Sequence, residues 1–182
     1  MKKNSFTKIS SRTIYQNQHV EIRVDTVHTA GGITDEYAYF IRPANHAVGI
    51  IAIDGNGICL VRQYRYIAGQ RLWQIPMGAS SGSNPLIAAQ NELKEETGIT
   101  ASSWKKLGLI RPEPGMTPQP IYIFLAQEFS FGKQELESSE VDMEVKKFSL
   151  RQMDRLIAKG KITCGYTLSA WQLYLSKIKP KL

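Results

Sequence analysis

Apolar and polar residues alternate cleanly near the start of the chain. Val20, Ile22 and Val24 stand two apart within Val20–Val27, the spacing of a half-buried strand. Thr13–Asn17 and Glu36–Ile41 read as its neighbours, with Ala30-Gly-Gly32 as a turn. A small antiparallel sheet of this kind is barely stable alone. Residues 1–45 therefore form a block that must pack on the rest of the chain or on a partner subunit. Residues 46–182 read as the main domain. There Ala47–Ile53 and Gly57–Val61 are continuous apolar runs around a strong hairpin signal, Asp54-Gly-Asn-Gly57. Trp104–Ile110, the apolar run Ile121–Ala126 and Glu144–Phe148 add three strands. Phe129–Val141, polar and acidic, reads as a mobile loop. Ser149 caps a helix that turns Leu150, Met153, Leu156 and Ile157 inward and ends at Gly160. Thr167 caps the last helix, from Leu168 to about Ile178, before Pro180.

The helix in the middle carries the chemistry. Ser83 or Asn84 can cap it, Pro85 suits its first position, and Gly98 supplies a left-handed end. Leu86, Ala89 and Leu93 recur at core spacing. Glu92, Glu95 and Glu96 share another sector, where like charges three and four apart repel by a few tenths of a kcal/mol. Two readings stand side by side: a solvated acidic face, or a ligand set. Before the helix, Trp73–Gly78 is a short apolar run ending in a Pro-Met-Gly turn, followed by the small-residue loop Ala79–Ser83. Clustered carboxylates behind a glycine loop suit a hard divalent cation, which takes oxygen ligands and substrate phosphates.

Composition narrows the field. The chain has 182 residues, 42% hydrophobic and 21% charged, as expected of one soluble globular protein. No apolar run approaches the roughly 20 residues of a membrane helix, and the basic start lacks the apolar segment of a signal peptide. Cys59 and Cys164 stand singly, which suggests a reducing cytoplasm. The net charge is +7, from scattered clusters such as Lys2-Lys3, Lys105-Lys106, Lys146-Lys147 and the tail from Lys177 to Lys181. Nothing resembles a nucleic-acid recognition element, so small phosphorylated substrates are the favoured partners of that charge. Arg62 and Arg65, at the end of an apolar strand, suit phosphate or else mark a solvated strand end. Arg111–Pro120 holds four prolines in ten residues, a stiff segment able to present groups to a site.

The segment Gly78–Ile99, with Asn91-Glu-Leu-Lys-Glu-Glu-Thr-Gly98, resembles the Nudix box. Leu60-Val-Arg-Gln-Tyr-Arg65, Leu72-Trp-Gln-Ile-Pro-Met-Gly78 and Glu113-Pro-Gly115 resemble the ADP-ribose and nucleotide-sugar pyrophosphatase branch of that family. The likeness runs from about residue 13 to residue 176. It implies an α/β/α sandwich around a mixed sheet, with the N-terminal sheet exchanged in a homodimer. It also implies hydrolysis of a nucleoside diphosphate sugar or ADP-ribose to a nucleoside monophosphate and a sugar phosphate. By the same resemblance, Glu92, Glu96 and the Met77 carbonyl would bind Mg²⁺ or Mn²⁺, and Glu95 would bind metal or orient water. Glu140 would be the carboxylate from the acidic loop, with Glu137, Asp142 and Glu144 as competitors. Arg65 and Arg62 would neutralise the diphosphate, and Gly115 and Met116 would lie against the substrate.

Four positions depart from the branch. Its usual glutamates are Gln74, Ser83 and Gln119 here, and its box arginine is Asn91; the loop of the box is one residue short. Fewer carboxylates imply fewer or weaker metals. That leaves a nucleotide-binding module of low or no activity as the alternative, with removal of pyrophosphate from RNA ends as a third reading.

Overall fold

In the computed structural model, residues 5–44, 46–80, 82, 84–136, 138 and 140–178 are described. Lys2, Lys3, Ser83, Glu137, Lys179, Pro180 and Lys181, named above, lie outside them. The chain divides into two units, the first taking the residues up to Ala44 together with Glu113–Gln119.

Within the first unit, β1 (Phe6–Gln16), β2 (Glu21–Thr29) and β3 (Thr34–Ile41) form an antiparallel sheet in that order. The alternating run is its middle strand, and Val24 and Val27 are its buried residues. β1 begins at Phe6 rather than Thr13. All of its positions are exposed, so no apolar period announces it, and only the pairing from Phe6–Thr29 to Gln16–Glu21 defines it. The proline segment belongs to this unit. The Phe40 amide donates to the Met116 carbonyl at 2.9 Å. The Gln119 side chain accepts from the Arg42 amide (2.7 Å) and donates to the carbonyls of Arg42 (2.8 Å) and Ala44 (3.1 Å). A glutamate could make the first of these bonds but neither of the others.

The second unit is a mixed sheet between helices. Its elements are β4 (His46–Asp54), β5 (Gly57–Arg65), β6 (Gln70–Gln74), β7 (Met77–Ser80), α1 (Pro85–Thr97), β8 (Ile99–Ile110), β9 (Ile121–Phe131), β10 (Glu144–Ser149), α2 (Leu150–Ala158) and α3 (Gly165–Lys177). The strand order is β10-β5-β4-β9-β8, with β6 pairing β5 and β7 pairing β4. β4 and β9 run parallel and the other pairs antiparallel. The apolar run of β4 is explained by burial on both faces. Val48, Ile50 and Ala52 pack with Ala88, Ala89 and Leu93 of α1. Ile51 and Ile53 pack on the other side with Met153 of α2 and Trp171 of α3. Each Val, Leu, Ile or Met side chain removed from water contributes about 1.5–3 kcal/mol, and an alanine less.

Three expectations change. β8 starts at Ile99, directly after α1, not at Trp104. β9 runs on to Phe131, because Ile99 pairs with Phe131; the loop that follows therefore begins at Gly132. Thr167 is not a cap. The helix starts at Gly165, and the fully buried Thr167 hydroxyl accepts from the Ile75 amide at 3.0 Å. Ser149 does cap α2, through a reciprocal box with Gln152. No helix among the described residues is long and apolar enough to cross a membrane.

Candidate active site

The site is built on α1. Asn84 Oδ1 accepts from the Leu86 amide at 2.9 Å and starts the helix, while Gly98 (φ 71°) ends it with its amide on the Lys94 carbonyl. Leu93 and Ala89 face the core and fix the rotation of the helix. That rotation does not leave the glutamates on a solvated face. Glu96 is 1% exposed, and Glu92 and Glu95 are half-buried.

Glu96 is a strongly perturbed carboxyl. Burial pushes its pKa up to about 9, and the charges of Glu140 and Glu92 push the same way; the Met77 amide and Arg65 oppose them. The Met77 N–H donates to Glu96 Oε2 at 3.0 Å. Met77, expected as a carbonyl ligand, thus also clasps the carboxylate through its nitrogen. Glu92 lies directly over Gly78. A Cβ built on that glycine would overlap the Glu92 carboxylate, so only glycine lets the side chain lie there.

Glu140 reaches this group from the loop after β9, near enough for its charge to act on Glu96. Two of its competitors, Asp142 and Glu144, pair with Arg71. Arg71 donates to Asp142 Oδ2 and the Asp142 carbonyl, each at 2.6 Å, and to Glu144 Oε1 at 2.9 Å. The loop is fastened to the end of α1 by bonds that no pattern in the sequence announces. Gly132 donates to the Gly98 carbonyl (2.7 Å), Gln134 Nε2 to the Glu96 carbonyl (2.7 Å) and the Glu135 amide to the Glu95 carbonyl (3.0 Å). These partners satisfy helix-end carbonyls that have none within the helix.

The remaining candidates divide. Arg65 sits with the carboxylates, its Nε donating to Gln74 Oε1 at 3.1 Å. Arg62, three residues earlier on the same strand, takes the opposite face. There its guanidinium lies 5.7 Å from the centre of the Trp73 ring and 3.8 Å from Glu144. The charge of Glu95 acts on Lys94, which pairs with Glu135 at 2.8 Å. Asn91 is exposed on α1. Gly115 belongs to the first unit, where it lines a cavity of about 390 Å³ with Asp25, Tyr37, Tyr39 and Pro118; Met116 is 54% exposed in the same unit. Gln74 is 2% exposed, and its Nε2 is a buried donor without a partner. Leaving such a donor unmade costs about 1–3 kcal/mol.

Among the described residues no group of three or more His, Cys, Asp or Glu side chains is arranged to hold a metal ion by itself. The donor set fits a divalent cation in another sense. The charges of Glu92 and Glu140 act on the buried Glu96, and a cation would relieve both that repulsion and the burial cost of Glu96.

Comparison with known proteins agrees with this geometry. A family model described as the NUDIX domain matches residues 43–163. An ADP-ribose pyrophosphatase of Mycobacterium tuberculosis is 33% identical over 168 residues, covering 89% of this chain and 79% of the relative. One from Bacillus subtilis is 28% identical, covering 90% and 89%. A crystal structure of an ADP compounds hydrolase superposes with a TM-score of 0.84 at 22% identity, covering 97% of this chain and 95% of that one, which establishes the likeness of fold.

Proposed function

The chain belongs to the Nudix family of hydrolases, in the branch of the ADP-ribose pyrophosphatases, and from that premise we propose that it hydrolyses the diphosphate of ADP-ribose or a related nucleoside diphosphate sugar. The products would be a nucleoside monophosphate and a sugar phosphate. The observation that carries the reading is the buried Glu96 carboxyl facing Glu92 and Glu140, with Arg65 beside them. Mg²⁺ or Mn²⁺ bound there would supply an activated water and offset phosphate charge. Glu92 and Glu96 would hold the ion, together with the Met77 carbonyl. Glu140 stands on a separate loop and would take the proton of the attacking water, and Glu95 would bind metal or orient water. Arg65 would neutralise the diphosphate as the bridging P–O bond breaks. Gly115, Met116 and Arg62 remain candidates for the rest of the substrate.

The measurement is monophosphate release from ADP-ribose, GDP-mannose and ADP-glucose with Mg²⁺ or Mn²⁺. We expect turnover of at least one. No turnover, with thermal stabilisation by ADP-ribose, would instead favour a binding module.

We also propose that the first unit makes a homodimer, because Phe6, Ile9, Ile14, Tyr15 and Tyr37 on its sheet, and Ile33 in the turn before β3, expose large apolar surface. Sedimentation as a monomer at micromolar concentration would remove this part of the reading. The cytoplasm suits the two free cysteines.

A further inference from the structure

Gln74 ends β6, buried at the edge of the site. Arg65 Nε is a donor, so the amide must turn its oxygen toward the arginine, and its nitrogen then points away. That nitrogen is buried and makes no hydrogen bond. A side chain that leaves a buried donor unmade has not been kept for stability. An apolar residue of similar size would avoid the loss, and a glutamate would turn the neutral bond into an ion pair. The amide holds the guanidinium by its Nε edge and, unlike a glutamate, adds no negative charge against it. The guanidinium charge acts on Glu96, beside which a diphosphate and its cation would sit.

We propose that Gln74 is a positioning residue for diphosphate binding: it orients Arg65 and preserves its charge, so that the guanidinium shares with the cation the task of neutralising the substrate. The inference rests on the hydrolase reading above. It has a consequence that does not involve turnover. The full chain binds ADP-ribose even when divalent cations are chelated.

Isothermal titration of ADP-ribose into the chain in EDTA, and again in Mg²⁺ at short times, tests this alongside thermal melting. Wild type is expected to bind in EDTA. Gln74→Glu should weaken that binding by about tenfold or more, with a melting temperature equal or higher. Arg65→Ala should weaken it at least as much. Gln74→Met, which loses the hold but not the charge of Arg65, should fall between wild type and Gln74→Glu, again without loss of stability. In steady state both Gln74 variants should raise KM more than they lower kcat. Binding by Gln74→Glu within about twofold of wild type would overturn the proposal, as would losses that track the melting temperatures of the two variants. A wild type that binds only with Mg²⁺ overturns it while leaving the hydrolase reading standing. A wild type that neither binds nor cleaves overturns both.

Discussion

Glu96→Gln is expected to reduce turnover by at least a hundredfold, on the order expected for a catalytic group, and at the same time to stabilise the cation-free protein at alkaline pH. Glutamine keeps the size of the side chain and can still accept from the Met77 amide, which bonds Glu96 Oε2 at 3.0 Å. What it removes is a negative charge buried beside two others. The folded-state pKa of Glu96 is raised from 4.5 to about 9. Between those values the folded chain keeps a proton that the unfolded chain has released, so this group's contribution to stability falls as pH rises through the window. Glutamine does not titrate, and its advantage should therefore grow from pH 5 to pH 9. Added Mg²⁺ or Mn²⁺ should narrow the gap by binding wild type and displacing the proton. Thermal melts of both proteins in EDTA at pH 5.5 and 8.5, with turnover measured in parallel, check both halves. Unchanged turnover would refute the assignment of Glu96. Melting curves with the same pH dependence in both proteins would refute the electrostatic account.

Gly98→Ala is expected to destabilise the second unit by about 3–5 kcal/mol, among the largest effects a single methyl group can have. Gly98 has φ 71°, a left-handed conformation that costs an L-residue about 1–2 kcal/mol. A Cβ there would also overlap the Gly132 carbonyl oxygen and crowd its carbon. Backbone cannot step aside as a flexible side chain would, so the two segments must part. The Gly132–Gly98 bond would go first, and with it the bonds of Gln134 and Glu135 to the end of α1. Those carbonyls would be left unsatisfied, and Glu140 would lose the tether of its loop. Urea unfolding measures the stability. A loss below about 1 kcal/mol would mean that the loop is not held by this junction. Activity should fall further than the stability loss alone accounts for, because Glu140 is displaced even in folded molecules.

Gly78 and Gly98 show how differently a glycine can be read. Gly98 follows an apolar-periodic helix, so its role as a cap was legible from position. That the Glu92 carboxylate lies on Gly78 was not, because Glu92 is fourteen residues away in sequence and the contact depends on how α1 docks. Arg62 and Arg65 are a case in which a periodicity already present decides. Three residues apart on a strand they must face opposite ways: Arg65 acts on Glu96, and Arg62 lies by Trp73 and Glu144. Thr167 misled for a different reason. Threonine is a good cap, but here its hydroxyl is spent on the Ile75 amide of another segment. Exposed β1 had no apolar period at all, so pairing alone marks its start at Phe6.

The amino-acid sequence alone determined the elements whose signals are local. These are the capped helix with Glu92, Glu95 and Glu96, the Asp54–Gly57 hairpin, the doubly apolar β4 and β9, and the box-capped α2. Each is set by spacings of two to four residues, which short-range sterics and periodic burial enforce. The tertiary structure decided which charges meet. Burial raised Glu96, the loop after β9 brought the charge of Glu140 to it, Lys94 paired with Glu135, and Arg71 paired with Asp142 and Glu144. Such choices depend on distances between segments far apart in sequence and on the water excluded between them. Neither quantity exists until the helix has packed onto the sheet.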